Sequence, residues 1–159
     1  MSLADIKNQE IIKKYCRKYP NIKLVLAHGG KGYNPYHILE GISSLKKIDN
    51  LWFDCSNVTE VGTIEVIIRE MGHKRLLYGS DFPFFNLYEK CIAIGDGFCW
   101  LTNNEINRLI KEVDYSDPTP VLLGYENLQC MKLAALNLKL NDSKIEDVFY
   151  NNAKNIFEA

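Results

Sequence analysis

Three short apolar runs, separated by segments of helical periodicity, constrain this chain more than any other feature. They are Ile22-Lys23-Leu24-Val25-Leu26, Leu51-Trp52-Phe53-Asp54-Cys55 and Arg75-Leu76-Leu77-Tyr78. Each is too short for a helix and rich in aliphatic or aromatic residues, so each reads as a strand, over 22–27, 51–55 and 74–78. The first is apolar almost throughout, as a strand covered on both faces is. The segments around them carry apolar residues on one helical face. A helix over 4–19 presents Ile11, Ile12, Tyr15, Cys16 and Tyr19 and stops at Pro20-Asn21. Asn34-Pro35 opens another with a capping side chain and a first-turn proline, and its stripe is Ile38, Leu39, Ile42 and Leu45. A third, over about 60–71, buries Ile64, Ile67, Ile68 and Met71 and ends at Gly72, where a capping glycine belongs. Strands joined by helical crossovers pair in parallel. The expected architecture is therefore α/β, in the order α-β-α-β-α-β.

After Asp81 the strands are expected to stop. A helix is predicted over 86–94. Thr102-x-x-Glu105 reads as a capping box that opens a helix over about 103–112, with Ile106, Leu109 and Ile110 inward. Pro118 and Pro120 mark 114–121 as a loop. Residues 125–139 read as helix, Ser143-x-x-Glu146 as the cap of another, and 151–157 as a last turn or two. Three strands are few for this much helix, which suggests a missing half.

Composition narrows the function classes. At 159 residues with 47% apolar content, the chain suffices for one domain or a large piece of one, and it reads as a single partial domain over 1–159. Its net charge of −1, with no Lys/Arg cluster, argues against nucleic acid as a partner. No apolar run approaches the ~18 residues that cross a bilayer, so no membrane partner is expected. No signal-peptide pattern is present. Met1-Ser2-Leu3 reads as an appended leader. Five widely spaced cysteines (Cys16, Cys55, Cys91, Cys99 and Cys130), with no C-x-x-C, suit reduced thiols and a cytoplasmic location.

Two of the strands run into residues that carry chemistry. Ala27-His28-Gly29-Gly30 follows the first, and Gly79-Ser80-Asp81-Phe82-Pro83 follows the third. The C-terminal ends of parallel strands are where α/β folds keep their sites. His28 reads either as a loop histidine bonded to backbone or as an acid, base or metal ligand. Asp81 reads as a turn or capping residue, or as a ligand or proton shuttle. Its flanking Phe82, Phe84 and Phe85 favour the latter, because a carboxylate held against aromatic rings pays desolvation. Asp54, beside Ser56 and Asn57, reads as capping or supporting. His37 and His73 read as structural or solvated. Lys31-Gly32 lacks the spacing of a phosphate loop, and Ser80 lacks the G-x-S-x-G elbow of a serine hydrolase.

Four motifs in order add a family likeness. They are Pro20-Asn21-Ile22-Lys23-Leu24-Val25-Leu26-Ala27-His28-Gly29-Gly30, Phe53-Asp54-Cys55-Ser56, Leu77-Tyr78-Gly79-Ser80-Asp81-Phe82-Pro83 and Val148-Phe149-Tyr150-Asn151-Asn152-Ala153. Together they resemble the C-terminal half of the amidohydrolase-related, metal-dependent TIM-barrel family. That family includes aminocarboxymuconate-semialdehyde decarboxylase and resorcylate-type decarboxylases beside hydrolases of lactones and amides. The likeness covers about 10–85 and 140–158, leaving 95–139 as a helical elaboration.

The resemblance implies a partial (β/α)8 barrel, with the three strands as strands six to eight and a helical C-terminal extension. It also implies a divalent metal, usually zinc. Asp81 matches the eighth-strand aspartate, a metal ligand and proton relay. His28 matches the sixth-strand histidine, which contacts substrate or metal-bound water. The His-x-His of the first strand and the histidine of the fifth have no counterpart in this sequence. The expected function is the C-terminal portion of a metal-dependent hydrolase or decarboxylase of small organic substrates, inactive as an isolated fragment. The alternative is a non-catalytic αβ module that pairs with itself or with a partner half-barrel. A flavodoxin-like domain holding phosphate at Gly29-Gly30 is a third reading.

Overall fold

The computed structural model describes residues 2–112 and 121–158. Helix α1 (Ile6–Lys18) starts where the Asp5 carboxylate accepts the Lys7 N–H, and Arg17 and Lys18 stand in its last turn. It buries Gln9, Ile12 and Cys16, while Ile11, Tyr15 and Tyr19 are exposed. The predicted five-residue stripe is therefore too wide, because α1 packs through one narrow edge. Gln9 can join that edge because its amide is satisfied on both sides, by the Leu3 carbonyl and the Ser44 hydroxyl.

Three parallel strands follow in spatial order β1-β2-β3: β1 (Leu24–Leu26), β2 (Leu51–Asp54) and β3 (Leu76–Leu77). Leu24 pairs with Leu51, Leu26 with Phe53, Phe53 with Leu76 and Asp54 with Leu77. Helix α2 (Pro35–Ile42) crosses from β1 to β2, capped by Asn34 with Pro35 in its first turn. Helix α3 (Val61–Met71) crosses from β2 to β3 and stops at Gly72, whose φ of +85° suits a residue without Cβ. Ile38, Ile42, Leu45, Leu51, Phe53, Ile64, Ile67 and Leu76 are fully buried between sheet and helices, whereas Leu39 lies outside.

Leu3 packs into the fold. It is 2% exposed and covers Gly30 and Gly41. A Cβ at Gly41 would collide with the Leu3 carbonyl, so the glycine is what lets the N-terminal segment lie against α2.

The helix predicted over 86–94 is absent. That segment holds β4 (Glu89–Ile94), antiparallel to β5 (Gly97–Thr102) across a two-residue loop, Gly95-Asp96. The deciding signal is Gly-Asp-Gly between two runs of Ile, Cys, Phe and Trp. Gly95, at φ +55°, supplies the positive-φ residue that tight hairpins need. The stretch 95–139, expected as helical, thus opens in a strand.

Helix α4 (Asn103–Glu112) begins with the Glu105 carboxylate accepting from both the N–H and the hydroxyl of Thr102. Leu109 is exposed, and the Ile110 side chain and all but the last residue of the predicted loop 114–121 lie outside the described residues. Helix α5 (Leu123–Asn137) packs on α3. Helix α6 (Asp142–Glu146) is capped by Asn141, not by Ser143, which lies within it. Asn141 accepts the Lys144 N–H and so satisfies the first turn two residues before the predicted box could. A π-helical turn (Asp147–Asn151) leads into α7 (Asn152–Phe157).

This C-terminal run covers the outer edge of β3. The Tyr78 N–H donates to the Val148 carbonyl at 2.9 Å, and Asn152 Nδ2 donates to the His73 and Leu76 carbonyls at 2.8 Å. Among the described residues no helix is long and apolar enough to cross a membrane. The thiols of all five cysteines are free, and only that of Cys99 is not buried.

Candidate functional site

The ends of the three parallel strands converge. After β1 and Ala27 the backbone makes one left-handed turn, with φ of +55° at His28, +59° at Gly29, +70° at Gly30 and +64° at Lys31. Consecutive left-handed residues are rare because each L side chain there costs about 1–2 kcal/mol. Glycine at the two middle positions removes half of that cost. It also permits close approach, since a Cβ on Gly29 would lie 3.1 Å from Thr63 Cγ2 and one on Gly30 would lie 2.8 Å from Leu3 Cδ1. The N–H groups of Gly30 and Lys31 are spent on the Ala27 carbonyl, and that of Gly32 on the His28 carbonyl. They do not form the open cradle that the phosphate-binding reading requires.

Asp54, at the end of β2, ties this turn to its own strand. Its Oδ1 accepts the His28 N–H at 3.0 Å, the Ser56 N–H at 3.0 Å and the Ser56 hydroxyl at 2.5 Å. Asp54 thus supports the site, as its position at a strand end suggests. His28 Nδ1 lies 3.0 Å from both the carbonyl oxygen and Oγ of Ser56. Past β3, Asp81 sits at φ +52° and takes the Nδ2 amide of Asn57, itself at φ +55°, on its Oδ2 at 2.5 Å. The same oxygen is 4.0 Å from His28 Nε2. Three non-glycine residues from three strand ends are thus held left-handed around one point, the kind of strain that clusters at working sites.

The phenylalanines that flank Asp81 in sequence do not enclose its carboxylate in the fold. Phe82 and Phe84 are 73% and 55% exposed, and Phe85 packs against Gly124 of α5. The Asp81 side chain is about one-third exposed, at 35%, and its partner is the Asn57 amide instead of a ring. Aromatic residues do wall the site, but from the hairpin. The buried Tyr33 ring stacks 5.9 Å from the His28 ring and meets Phe98 at 4.9 Å and Trp100 at 5.2 Å. Burial first, then the nearby acidic groups, push the Tyr33 phenol up to about 12.

The hairpin is fastened to the residues that open α2 and α3. Asn34 Nδ2 donates to the Gly95 and Gly97 carbonyls at 3.1 and 2.9 Å, and Glu60 accepts the Ala93 N–H at 2.8 Å. His37 lies 3.2 Å from Asp96, and His73 lies 3.1 Å from Asp147. Both histidines therefore hold structural contacts away from His28. Asn57 and Tyr33 were not singled out from the sequence as site residues. For Asn57 a signal existed: the polar pair Ser56-Asn57 follows β2 after one residue, as His28 follows β1.

A catalytic zinc keeps three protein ligands and one open position. His28 and Asp81 bring two donors together, and the Asn57 amide facing them is a donor of hydrogen, not of electrons. No group of three or more His, Cys, Asp or Glu able to hold a metal occurs among the described residues. The side chains present here do not by themselves fit a catalytic metal. A separate apolar cavity of about 500 Å³ lies between α3, α5 and the C-terminal run, lined by Ile68, Met131, Leu136, Val148 and Phe149 among others, and shares no residue with this cluster.

The family model described as amidohydrolase matches residues 4–158, including the stretch 95–139. A search of curated proteins finds no match. Among solved structures, the chain is similar to amidohydrolase 2 from Bifidobacterium longum subsp. infantis at 14% identity and a TM-score of 0.50, over 94% of this chain and 45% of that one. It is also similar to an amidohydrolase from Burkholderia multivorans at 12% identity and a TM-score of 0.58, over 96% of this chain and 50% of that one. At these identities the likeness is one of fold. The chain spans about half the length of either structure.

Proposed function

Because the chain belongs to the amidohydrolase family, whose members generally use a divalent metal, we propose that it supplies the C-terminal part of a hydrolase or decarboxylase of small organic substrates. In this reading β1, β2 and β3 are strands six to eight of a (β/α)8 barrel of the aminocarboxymuconate-semialdehyde decarboxylase kind. A divalent metal, zinc by preference, would take Asp81 and would need its further ligands from outside the described residues. Five free thiols suit a cytoplasmic setting.

The observation that carries the reading is the meeting of His28 Nε2 and Asp81 Oδ2, 4.0 Å apart, at the C-terminal ends of parallel strands. The gap is too long for a hydrogen bond between them, and a substrate oxygen or nitrogen seated in it reaches both. His28 then exchanges a proton with that atom through Nε2. Asp81, as a carboxylate, accepts a proton from the same side. Tyr33, Phe98 and Trp100 exclude water and give the apolar part of a substrate a surface to lie on. Lactone or amide hydrolysis can use such a pair to take a proton from water and return it to the leaving group, and loss of carbon dioxide can use it to deliver a proton to the carbon that keeps the bonding electrons.

The experiment has two steps. The coding DNA upstream of Ala4 is sequenced for an in-frame strand ending in His-x-His, and the complete product is assayed on small lactones, amides and aromatic carboxylates. Asp81→Asn is expected to lower turnover by at least ~100-fold, the usual scale for removing a proton-transfer group. Turnover near the wild-type rate would sink the assignment.

A second reading, the non-catalytic module that pairs with itself or with a half-barrel, is favoured by the outer side of β1. No described strand pairs there. Instead Val25, Leu26, Leu3 and Ile12 border a groove of about 220 Å³, beside an exposed Ile22.

A further inference from the structure

We propose that the dipeptide Ser56-Asn57 positions both members of the candidate acid–base pair, Ser56 by fixing the tautomer of His28 and Asn57 by holding one carboxylate oxygen of Asp81. The proposal rests on the reading of His28 and Asp81 given above and adds the residues that make it workable. A backbone carbonyl can only accept a hydrogen bond. The Ser56 carbonyl lies 3.0 Å from His28 Nδ1, so that nitrogen carries the proton. The Ser56 hydroxyl lies at the same distance from Nδ1, but its one hydrogen is directed to Asp54 Oδ1. The hydroxyl oxygen therefore accepts from Nδ1 as well.

A neutral imidazole has a single N–H. With that N–H on Nδ1, Nε2 keeps its lone pair, 4.0 Å from Asp81 Oδ2. The opposite tautomer would present an N–H to the site and leave Nδ1 facing two acceptors. The Asp54 carboxylate makes the arrangement rigid, since it grips Ser56 by N–H and hydroxyl and His28 by its N–H.

Asn57 completes the arrangement on the other side. It is 7% exposed, and its amide donates to Asp81 Oδ2, the oxygen nearest His28. Its left-handed backbone, at φ +55°, is one that Asn adopts more readily than most residues. Two successive residues at the end of β2 thus serve the strands on either side. Ser56 and Asn57 are positioning residues, acting through His28 and Asp81. The gap they create is bordered by two acceptors, Nε2 and Oδ2, and suits a substrate group that donates a hydrogen bond.

The test is nuclear magnetic resonance on the ¹⁵N- and ¹³C-labelled chain, well above the ordinary histidine pKa of about 6.5. Correlations from the ring carbon-bound protons to both ring nitrogens report where the proton sits, with His28 assigned by its loss in His28→Gln. The expected result is a protonated-type Nδ1 and an unprotonated-type Nε2. Ser56→Ala removes the hydroxyl acceptor and its tie to Asp54 but keeps the carbonyl, so it is expected to leave the Nδ1–H form in the majority with a minor Nε2–H population, and Ser56→Thr, which keeps the hydroxyl, is expected to restore a single form. Asn57→Ala is expected to move the Asp81 carboxylate ¹³C resonance and leave the tautomer in place. An Nε2–H ring in the unmodified chain overturns the proposal whatever the variants do. Unchanged spectra in Ser56→Ala or in Asn57→Ala overturn the corresponding half. None of these readouts depends on turnover, so the failure of Asp81→Asn to reduce activity and the failure of this proposal are separate results.

Discussion

Burial sets the proton affinities of several single side chains, and these make the chain sensitive to alkali. The thiols of Cys55, Cys91 and Cys130 are each raised from 9.0 to about 12, and the Tyr33 phenol from 10.0 to about 12, all chiefly by burial. In each case the folded value lies above the unfolded one. The protonated group therefore contributes stability that is complete below about pH 9 and is lost as pH rises toward 12. The urea midpoint is expected to fall steadily from pH 9 upward, and a flat midpoint to pH 11 would contradict this. At the same scale, the strand-end placement of His28 and Asp81 was legible in the sequence because each follows an apolar run at a glycine-containing turn. The partners that orient them were not. Ser56 reaches across to His28 and Asn57 to Asp81, and nothing local in the chain records which strand end lies beside which. The three phenylalanines after Asp81 misled for the same reason, since sequence proximity says nothing about whether a ring faces the carboxylate or the solvent.

The hairpin is the element that depends most on a single polar side chain. Asn34 caps α2 through Oδ1 and holds both arms of the hairpin loop through Nδ2, and it is fully buried. Asn34→Ala removes all three hydrogen bonds and leaves two carbonyls without this partner. It is expected to destabilise the chain by about 2–4 kcal/mol in urea unfolding. Hydrogen exchange is expected to accelerate in β4 and β5 more than in β1 to β3. Equal acceleration throughout would show that the hairpin is not fastened at this point. The order of strands and helices through Leu77 was readable because helical periodicity, caps and the stop at Gly72 agree with one another. The hairpin was not, because a helix expected after Asp81 took in a run whose two halves mirror each other across Gly-Asp-Gly. Strand lengths were overestimated as well. Apolar character extends beyond the residues that have a paired neighbour, so β3 keeps two residues of a predicted five.

At the scale of the molecule, the amidohydrolase family was legible from four motifs in order and the parallel α/β sheet from periodicity, and the family match extends through the segment that those motifs left out. In the second reading, the chain joins another copy through the side of β1, where Ile22 is 56% exposed. Light scattering at high concentration is then expected to return a dimer, and a monodisperse monomer would contradict it. The C-terminal run adds a constraint of symmetry. Because Val148 and Asn152 already occupy the outer edge of β3, only one side of the sheet can accept a strand, so association by the edge stops at two copies instead of growing into a filament. Two copies sharing one edge across a two-fold axis run those strands in opposite directions. A barrel of parallel strands needs its neighbours to run the same way. Such a homodimer would be a six-stranded sheet with an antiparallel seam, and the His28 and Asp81 of each copy would stand at opposite ends of it. Only a different stretch of polypeptide, lying parallel to β1, can bring new side chains to the end of the sheet where these two wait.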